Sequence, residues 1–212
     1  MSFTKRCSSR RTFDQEVRAL TAWRCEPMPV LLRADPSTLD VEMTRLAGSE
    51  PPVEDIEVWR AAGAWRRRFM VEQDEDDMPL SVALQRRLDS WSGGGHSLRG
   101  EHADVRRVRC HRDFQPQNWL WSEGTLGVVD FEHAAPDHPL TDLVKVLDHL
   151  PMADSRFAAF VGGPLSEGEV QQLLDLRLLH GLATLAWGRR HEDEGFIALG
   201  QRVLAELQRA QI

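Results

Sequence analysis

No apolar run in this 212-residue chain approaches the roughly 20 residues that a membrane-spanning helix needs, so the sequence predicts no span. Cysteine is scarce. Cys7, Cys25 and Cys110 are an odd number without C-x-x-C spacing, which argues against a disulfide framework or a zinc knuckle and for reduced thiols in the cytoplasm. Positive charge is in the minority, with 26 basic against 33 acidic residues and a net charge of −7. That balance argues against a general affinity for nucleic acid and is mildly permissive for a cationic substrate, without identifying one. Only two of the basic residues are lysines, and Lys5 is one of them. Neither an internal repeat nor a low-complexity tract is present. The basic, serine-rich segment 1–11 is not followed by an apolar signal core, so it reads as a strand-to-helix connection rather than a targeting signal. What is there is a hydrophobic fraction of 42%, enough for the core of one domain or of two small lobes.

The most informative stretch is His111-Arg112-Asp113-Phe114-Gln115-Pro116-Gln117-Asn118, with Val129-Asp130-Phe131-Glu132 following it. Between them, Trp119-Leu120-Trp121 and Leu126-Gly127-Val128-Val129 are aromatic and β-branched runs separated by Ser122-Glu123-Gly124-Thr125, the pattern of a hairpin. Asn118 and Asp130 are each six residues from Gly124 and are expected to face each other at its open end. Asp113 lies five residues before Asn118, on a loop entering the same end. Amide and carboxylate oxygens suit Mg²⁺, an ion that shares its sphere with water and phosphate oxygens. A further carboxylate can accept a proton from an attacking hydroxyl. A rival reading orders His111, Asp113, His133, Asp137 and His138 as the metal cluster of a hydrolase. Against it, such clusters generally ride on helices, whereas Asp113 and Asp130 flank predicted strands.

The H-x-D-x-x-x-x-N pattern with its spaced D-F-E resembles the catalytic segment of the aminoglycoside phosphotransferase and choline kinase family, which has a protein-kinase-like fold. The resemblance implies an α+β, two-lobed architecture: a cut-down N-lobe at 1–47 (strand, helix, two strands) and a mainly helical C-lobe at 48–212. It implies transfer of the γ-phosphoryl group of ATP to a hydroxyl of a small molecule, with Mg²⁺. Asp113 would be the catalytic base, Asn118 and Asp130 the metal ligands, and His111 the residue that orients the loop. Arg112 stands where the family more often has glycine and receives no role. Pro139-Leu140-Thr141-Asp142-Leu143 resembles the family's P-x-x-D-L segment, which makes Asp142 a support of the catalytic loop, with a helix N-cap as its alternative. Lys5 and Glu16 match the order of the phosphate-holding lysine and its helix partner. Met43 to Leu46, before a hinge at Leu46-Ala47-Gly48-Ser49-Glu50-Pro51-Pro52, would meet the adenine.

One family feature is not found. No glycine-rich phosphate loop precedes Lys5, and Gly93-Gly94-Gly95 falls between predicted helices. Three explanations follow: a start lying upstream, an open phosphate site, or a pseudokinase that binds nucleotide without turnover. Elsewhere the spacing predicts strands at 29–32 and 39–43, with a helix at 13–23 carrying Glu16 on a different face from Phe13, Val17 and Leu20. Further helices are expected at 54–71, 81–91 and 140–150. Ser166-Glu167-Gly168-Glu169 reads as a capping box opening a helix at 170–186, and a last helix runs from 194 to 209 after a connector at 187–194. The acidic residues Glu72 and Asp74-Glu75-Asp76-Asp77 read as a solvated loop.

Overall fold

The structure is a computed structural model that describes residues 1–73, 78–92 and 96–209. The acidic run at 74–77 and the triple glycine at 93–95 lie outside the described residues. By packing the chain forms two compact units, Met1–Gln73 with Arg107–Pro164, and Asp74–Arg106 with Leu165–Ile212. The lobe boundary placed after residue 47 lies within the first unit.

In the first unit, β1 (Ser2–Arg6), β2 (Leu31–Asp35) and β3 (Asp40–Thr44) form an antiparallel sheet in the order β1-β3-β2, with Phe3 opposite Met43 and Lys5 opposite Val41. The second strand begins later than its apolar run suggested and continues to Asp35. There the Asp35 carboxylate accepts the Ser37 amide at 2.9 Å and its hydroxyl at 2.6 Å, and so closes the turn. Helix α1 (Arg10–Ala22) opens with a Ser9–Thr12 capping box and buries Phe13, Glu16, Ala19 and Leu20. Glu16 therefore shares the buried face instead of pointing elsewhere. Steps of three and four residues bring 13, 16 and 20 onto one side of a helix.

Helix α2 (Ile56–Phe69) is capped by Asp55, whose side chain accepts the Glu57 amide. Its buried face supplies Trp59, Trp65 and Phe69 to an aromatic core. Trp65 stacks on Phe114 at 5.5 Å, and Trp59 meets Trp119 edge-on at 5.2 Å. Two short strands, β4 (Val108–Cys110) and β7 (Ala135–Asp137), pair antiparallel. Neither was visible in the sequence, because three residues show no period and one of the six is Pro136. The hairpin is present as β5 (Trp119–Ser122) and β6 (Thr125–Val128), but its register differs from expectation. Trp119 faces Val128, and the Val129 amide donates to the Asn118 carbonyl at 3.0 Å, so Asn118 faces Val129 and not Asp130. The turn is the cause. Glu123 and Gly124 both have positive φ (49° and 79°), the two-residue connection that fits strand twist.

Helix α4 (Thr141–Val146) is shorter than the predicted 140–150; after it the Asp148 amide bonds to the Lys145 carbonyl and the His149 and Leu150 amides to that of Val146, a run of turns. Helix α5 (Ser155–Val161), which the sequence reading missed, starts at a cap from Asp154. It packs so closely on α2 that a Cβ at Gly63 would lie 1.8 Å from the Phe160 carbonyl oxygen.

The second unit consists of α3 (Leu80–Ser92), α6 (Glu167–His191) and α7 (Glu194–Arg209). The Ser166–Glu169 capping box opens α6 as expected. The helix runs through Trp187 to His191, beyond the predicted break. It ends at Glu192, whose φ of 55° is left-handed, and Asp193 then caps α7 by accepting the Phe196 amide at 3.1 Å. Glycines let the two long helices touch: a Cβ at Gly188 would sit 2.7 Å from the Ile197 amide nitrogen. No described helix is long and apolar enough to cross a membrane.

Candidate active site

The loop after β4 is set by three fastenings. Asp142, buried in the first turn of α4, accepts the backbone amides of His111 at 3.1 Å and Arg112 at 2.7 Å. It is not the N-cap of its own helix; that position belongs to Leu140. Arg112 adopts a φ of +66°, the left-handed region that glycine enters most easily. Its guanidinium reaches the buried carboxylate of Asp137 at 3.1 Å, which gives this arginine a structural task. His111 is fully buried against Phe131, with ring centres 4.8 Å apart, and its Nε2 lies 3.0 Å from the Val129 carbonyl oxygen. Burial lowers its pKa from 6.5 despite the nearby Asp142 carboxylate, so the neutral ring donates from Nε2 and ties the loop to the strand before Asp130.

That neutral histidine has a consequence for stability. A folded-state pKa below the unfolded value means the unfolded chain binds more protons as pH falls. The contribution is present above about pH 6.5 and is lost on acidification towards the lowered pKa; His149, also lowered by burial, acts in the same direction. Melting temperature is expected to fall between about pH 7.5 and pH 5.5. The fall should be smaller in His111→Asn. An equal slope in both proteins would show that His111 does not carry the effect.

Asp113 follows on this loop, and its carboxylate is surrounded by donors. Gln115 Nε2 donates to Oδ1 at 2.9 Å, Asn118 Nδ2 donates to Oδ2 at 2.8 Å, and Lys145 Nζ lies 3.3 Å from Oδ1. Burial alone would push its carboxyl up. The Lys145 ammonium and the Asn118 bond outweigh it and hold the group ionised, below the ordinary carboxylate value. Asn118, at the end of a single 3₁₀ turn (Pro116–Asn118), also donates to the Asp113 backbone carbonyl at 2.8 Å. With its nitrogen so engaged, the amide has its oxygen left for other partners.

On the other side of the hairpin, Asp130 has a φ of +67° and Phe131 behind it is fully buried. Lys5 on β1 ties this segment to the sheet. Its ammonium contacts Glu16 Oε2 at 3.0 Å, Glu132 Oε2 at 3.2 Å and, most closely, Asp130 Oδ1. Burial acts to lower the lysine's pKa, but Glu16 and Asp130 more than reverse that, and the ammonium is retained. Burial pushes the Glu16 carboxyl up while Lys5 pulls it down.

A cavity of about 450 Å³ opens over these groups, lined by Lys5, Glu16, Met43, Leu46, Asn118 and Asp130 together with Phe3, Pro29, Leu120 and Val129. One end is apolar and the other charged. The hinge segment is clamped to the hairpin by paired bonds, the Ser49 amide to the Trp121 carbonyl at 3.1 Å and the Trp121 amide to the Ser49 carbonyl at 2.8 Å. Gly48, at φ 130°, permits this approach; a Cβ there would lie 2.9 Å from the Trp121 carbonyl oxygen. So the structure gathers Lys5, Glu16, Met43, Leu46, Asn118 and Asp130 on one cavity. Asp113 adjoins through Asn118, with His111 and Asp142 beneath the loop.

Larger cavities, of about 510 and 860 Å³, lie in the second unit around residues 96–105 and α6. Asp175, the buried acid there, is engaged in holding its own loop through the amides of Arg99 and Gly100 and through His102 Nε2. The His/Asp hydrolase cluster is not assembled: among the described residues no three of His, Cys, Asp and Glu are grouped to hold a metal ion. His133 is exposed. His138 is buried and accepts the Leu140 amide at its Nδ1.

Sequence reasoning missed Lys145, Glu132 and Gln115. Rarity was the available signal for Lys145, which is the second of two lysines and lies three residues beyond Asp142 on a helix. Glu132 follows Asp130 by two residues, yet its contact with Lys5 depends on a left-handed backbone between β6 and Phe131 that its residue types do not announce.

Comparison with known proteins shows the family and the fold. Residues 37–199 match the model of the phosphotransferase enzyme family. N-acetylmuramate/N-acetylglucosamine kinase of Caulobacter vibrioides is 27% identical over 140 residues, covering 64% of this chain and 34% of that protein. The match therefore spans about a third of that relative's length. Among solved structures, a choline/ethanolamine kinase family protein from Mesorhizobium loti superimposes with a TM-score of 0.66 at 17% identity, over 94% of this chain and 78% of the other. The GDP and kanamycin complex of APH(2″)-IIIa gives 0.64 at 15% identity, over 100% and 88%. A ternary complex of aminoglycoside phosphotransferase APH(4)-Ia with ADP and hygromycin B gives 0.62 at 16%, over 98% and 85%. The fold is α+β and protein-kinase-like, and the chain belongs to the phosphotransferase enzyme family.

Proposed function

We propose that this chain transfers the γ-phosphoryl group of ATP to a hydroxyl of a small molecule, with residues 1–47 acting as the N-lobe and 48–212 as the C-lobe. One observation carries the reading: the Asp113 carboxylate is bonded to the amide of Asn118, and Asn118 lines the same cavity as Lys5 and Asp130. A proton acceptor, an amide oxygen, a carboxylate and an ammonium thus adjoin, as in-line phosphoryl transfer requires.

Asp113 takes the acceptor's proton. It is ionised and held by side-chain donors on both oxygens, so its orientation is set before substrate arrives. Lys5 holds phosphate oxygens, with Glu16 fixing its direction from a buried position. Met43 and Leu46 provide the apolar wall for adenine. The residues present fit Mg²⁺: Asp130 already sits against a cation, and the Asn118 nitrogen is turned to Asp113, which leaves two hard oxygen donors. Asn118 and Asp130 would hold the ion, and when bound it supplies charge neutralisation of the phosphate oxygens.

The acceptor is a small hydroxylated molecule. Aminoglycosides, choline-like amines, sugars and homoserine are the classes to compare. The test is calorimetric binding of Mg²⁺-ATP to the purified chain, followed by phosphoryl transfer to that panel. Nucleotide binding with turnover on one class is the expected result. Binding without turnover on any member would reject the transferase reading, and absence of nucleotide binding would reject the site itself.

A further inference from the structure

We propose that Lys145 is a catalytic residue whose ammonium grips the γ-phosphoryl group during transfer while remaining beside the base. This rests on the phosphotransferase reading given above and adds to it a group that neither the motif nor the cavity included.

The chain has two lysines, and each lies against acids of the site. Lys5 meets Glu16, Asp130 and Glu132 from β1; Lys145 meets Asp113 from α4, at 3.3 Å. Four carboxylates thus face two ammoniums before any phosphate arrives. A triphosphate approaching Asp113 would be repelled by it, and Lys145 is the cation placed to offset that repulsion.

Asp113 does not need this lysine for its orientation. Gln115 already donates to Oδ1 and Asn118 to Oδ2. The pair is mostly shielded from water, with the Lys145 and Asp113 side chains 22% and 19% exposed, and yet the lysine keeps an open side. Its placement is well defined. Lys145 lies one helical turn beyond Asp142, the residue that holds the backbone at His111 and Arg112, so one short helix both fixes the loop and delivers the ammonium to it.

During transfer, the acceptor oxygen forms a bond to the γ-phosphorus. The bond from that phosphorus to the β,γ-bridging oxygen breaks, and its electron pair leaves with ADP. The acceptor proton goes to Asp113. Lys145 neither gives nor takes a proton; it follows the charge spread over the equatorial phosphoryl oxygens. A hydroxyl within hydrogen-bond reach of the base, about 2.6–3.2 Å, brings those oxygens within the sweep of a four-carbon lysine stem.

The experiment uses the full chain and two probes, Mg²⁺-ADP and the Mg²⁺ complex of β,γ-imido-ATP, titrated into wild type, Lys145→Met and Lys145→Arg. Lys145→Met is expected to weaken binding of the imido compound about tenfold or more, as loss of a charge-assisted bond would, with ADP affinity unchanged. Lys145→Arg should recover most of the loss. Equal affinities in wild type and Lys145→Met for both probes would overturn the assignment while leaving the phosphotransferase reading intact. A matching loss for both probes that arginine does not restore would also overturn it, since that marks a merely structural lysine. Failure of the wild type to bind either probe would remove the underlying reading and this inference together. Lys145→Gln carries the same comparison should the methionine variant unfold.

Discussion

Asp113→Asn is expected to lower turnover by about 10²–10⁴-fold, the range spanned by losing a positioned proton acceptor. Nucleotide affinity should be kept or rise, since a negative charge beside the phosphates is removed. The substitution keeps the shape of the side chain but turns one of its two oxygens into an amide donor, so only one of the bonds from Asn118 and Gln115 can be kept, and basicity disappears. Lys5 and Asp130, proposed for phosphate and for Mg²⁺, are on other elements and bond to each other. The separation of the two effects is the informative part. Retained turnover would remove Asp113 from the chemistry, whereas a parallel collapse of nucleotide binding would mean that the residue serves only the shape of its loop. Asp113→Ala is a poorer probe, because it takes the side-chain acceptor from the Lys145 ammonium and the Gln115 amide and leaves Asn118 only the backbone carbonyl.

Asp130→Ala is expected to act on binding itself. Its carboxylate is the half-exposed acid at the charged end of the cavity, and in the absence of ligand its cation is Lys5. Removing it takes away one of the two oxygen donors proposed for Mg²⁺, so affinity for Mg²⁺-ADP should fall about tenfold or more, roughly 1.4 kcal/mol for each factor of ten. Binding measured with the metal chelated should change far less. The fold should survive, since Lys5 keeps Glu16 at 3.0 Å and Glu132 at 3.2 Å. Titration of both proteins with and without Mg²⁺ gives the answer, and a metal dependence identical in the two would refute the ligand assignment.

The parts of this site that lie close together in sequence were legible beforehand, because spacing along a loop constrains distance. Asp113 and Asn118, five residues apart, are in contact, and the apolar runs on either side of Glu123-Gly124 do pair. Where the reading failed, a backbone angle or a partner from a distant element decided the outcome. Glu123 in a left-handed conformation shortens the turn and moves the register by one; a glutamate gives no warning of that. Arg112 is the same case seen from the other side. Its φ of +66° supplies a physical reason for the glycine common at this place in the family, and its bond to Asp137 shows what an arginine does there instead. Glu16 was placed on the wrong face because its charge was given more weight than its helical phase. Lys145 went unnoticed since no pattern within α4 reveals what stands opposite it.

The hairpin turn at Glu123-Gly124 has a bearing that its exposed position conceals. Strand residues alternate sides, so the number of residues at the tip works as a gauge for whatever leaves the two strands at the far end. With the two-residue turn kept, one residue inserted just after it would bring Val128 opposite Asn118 in place of Val129, although Asn118 does not touch the insertion. The length of this small surface feature therefore bears on where the proposed metal ligands Asn118 and Asp130 stand, several residues away.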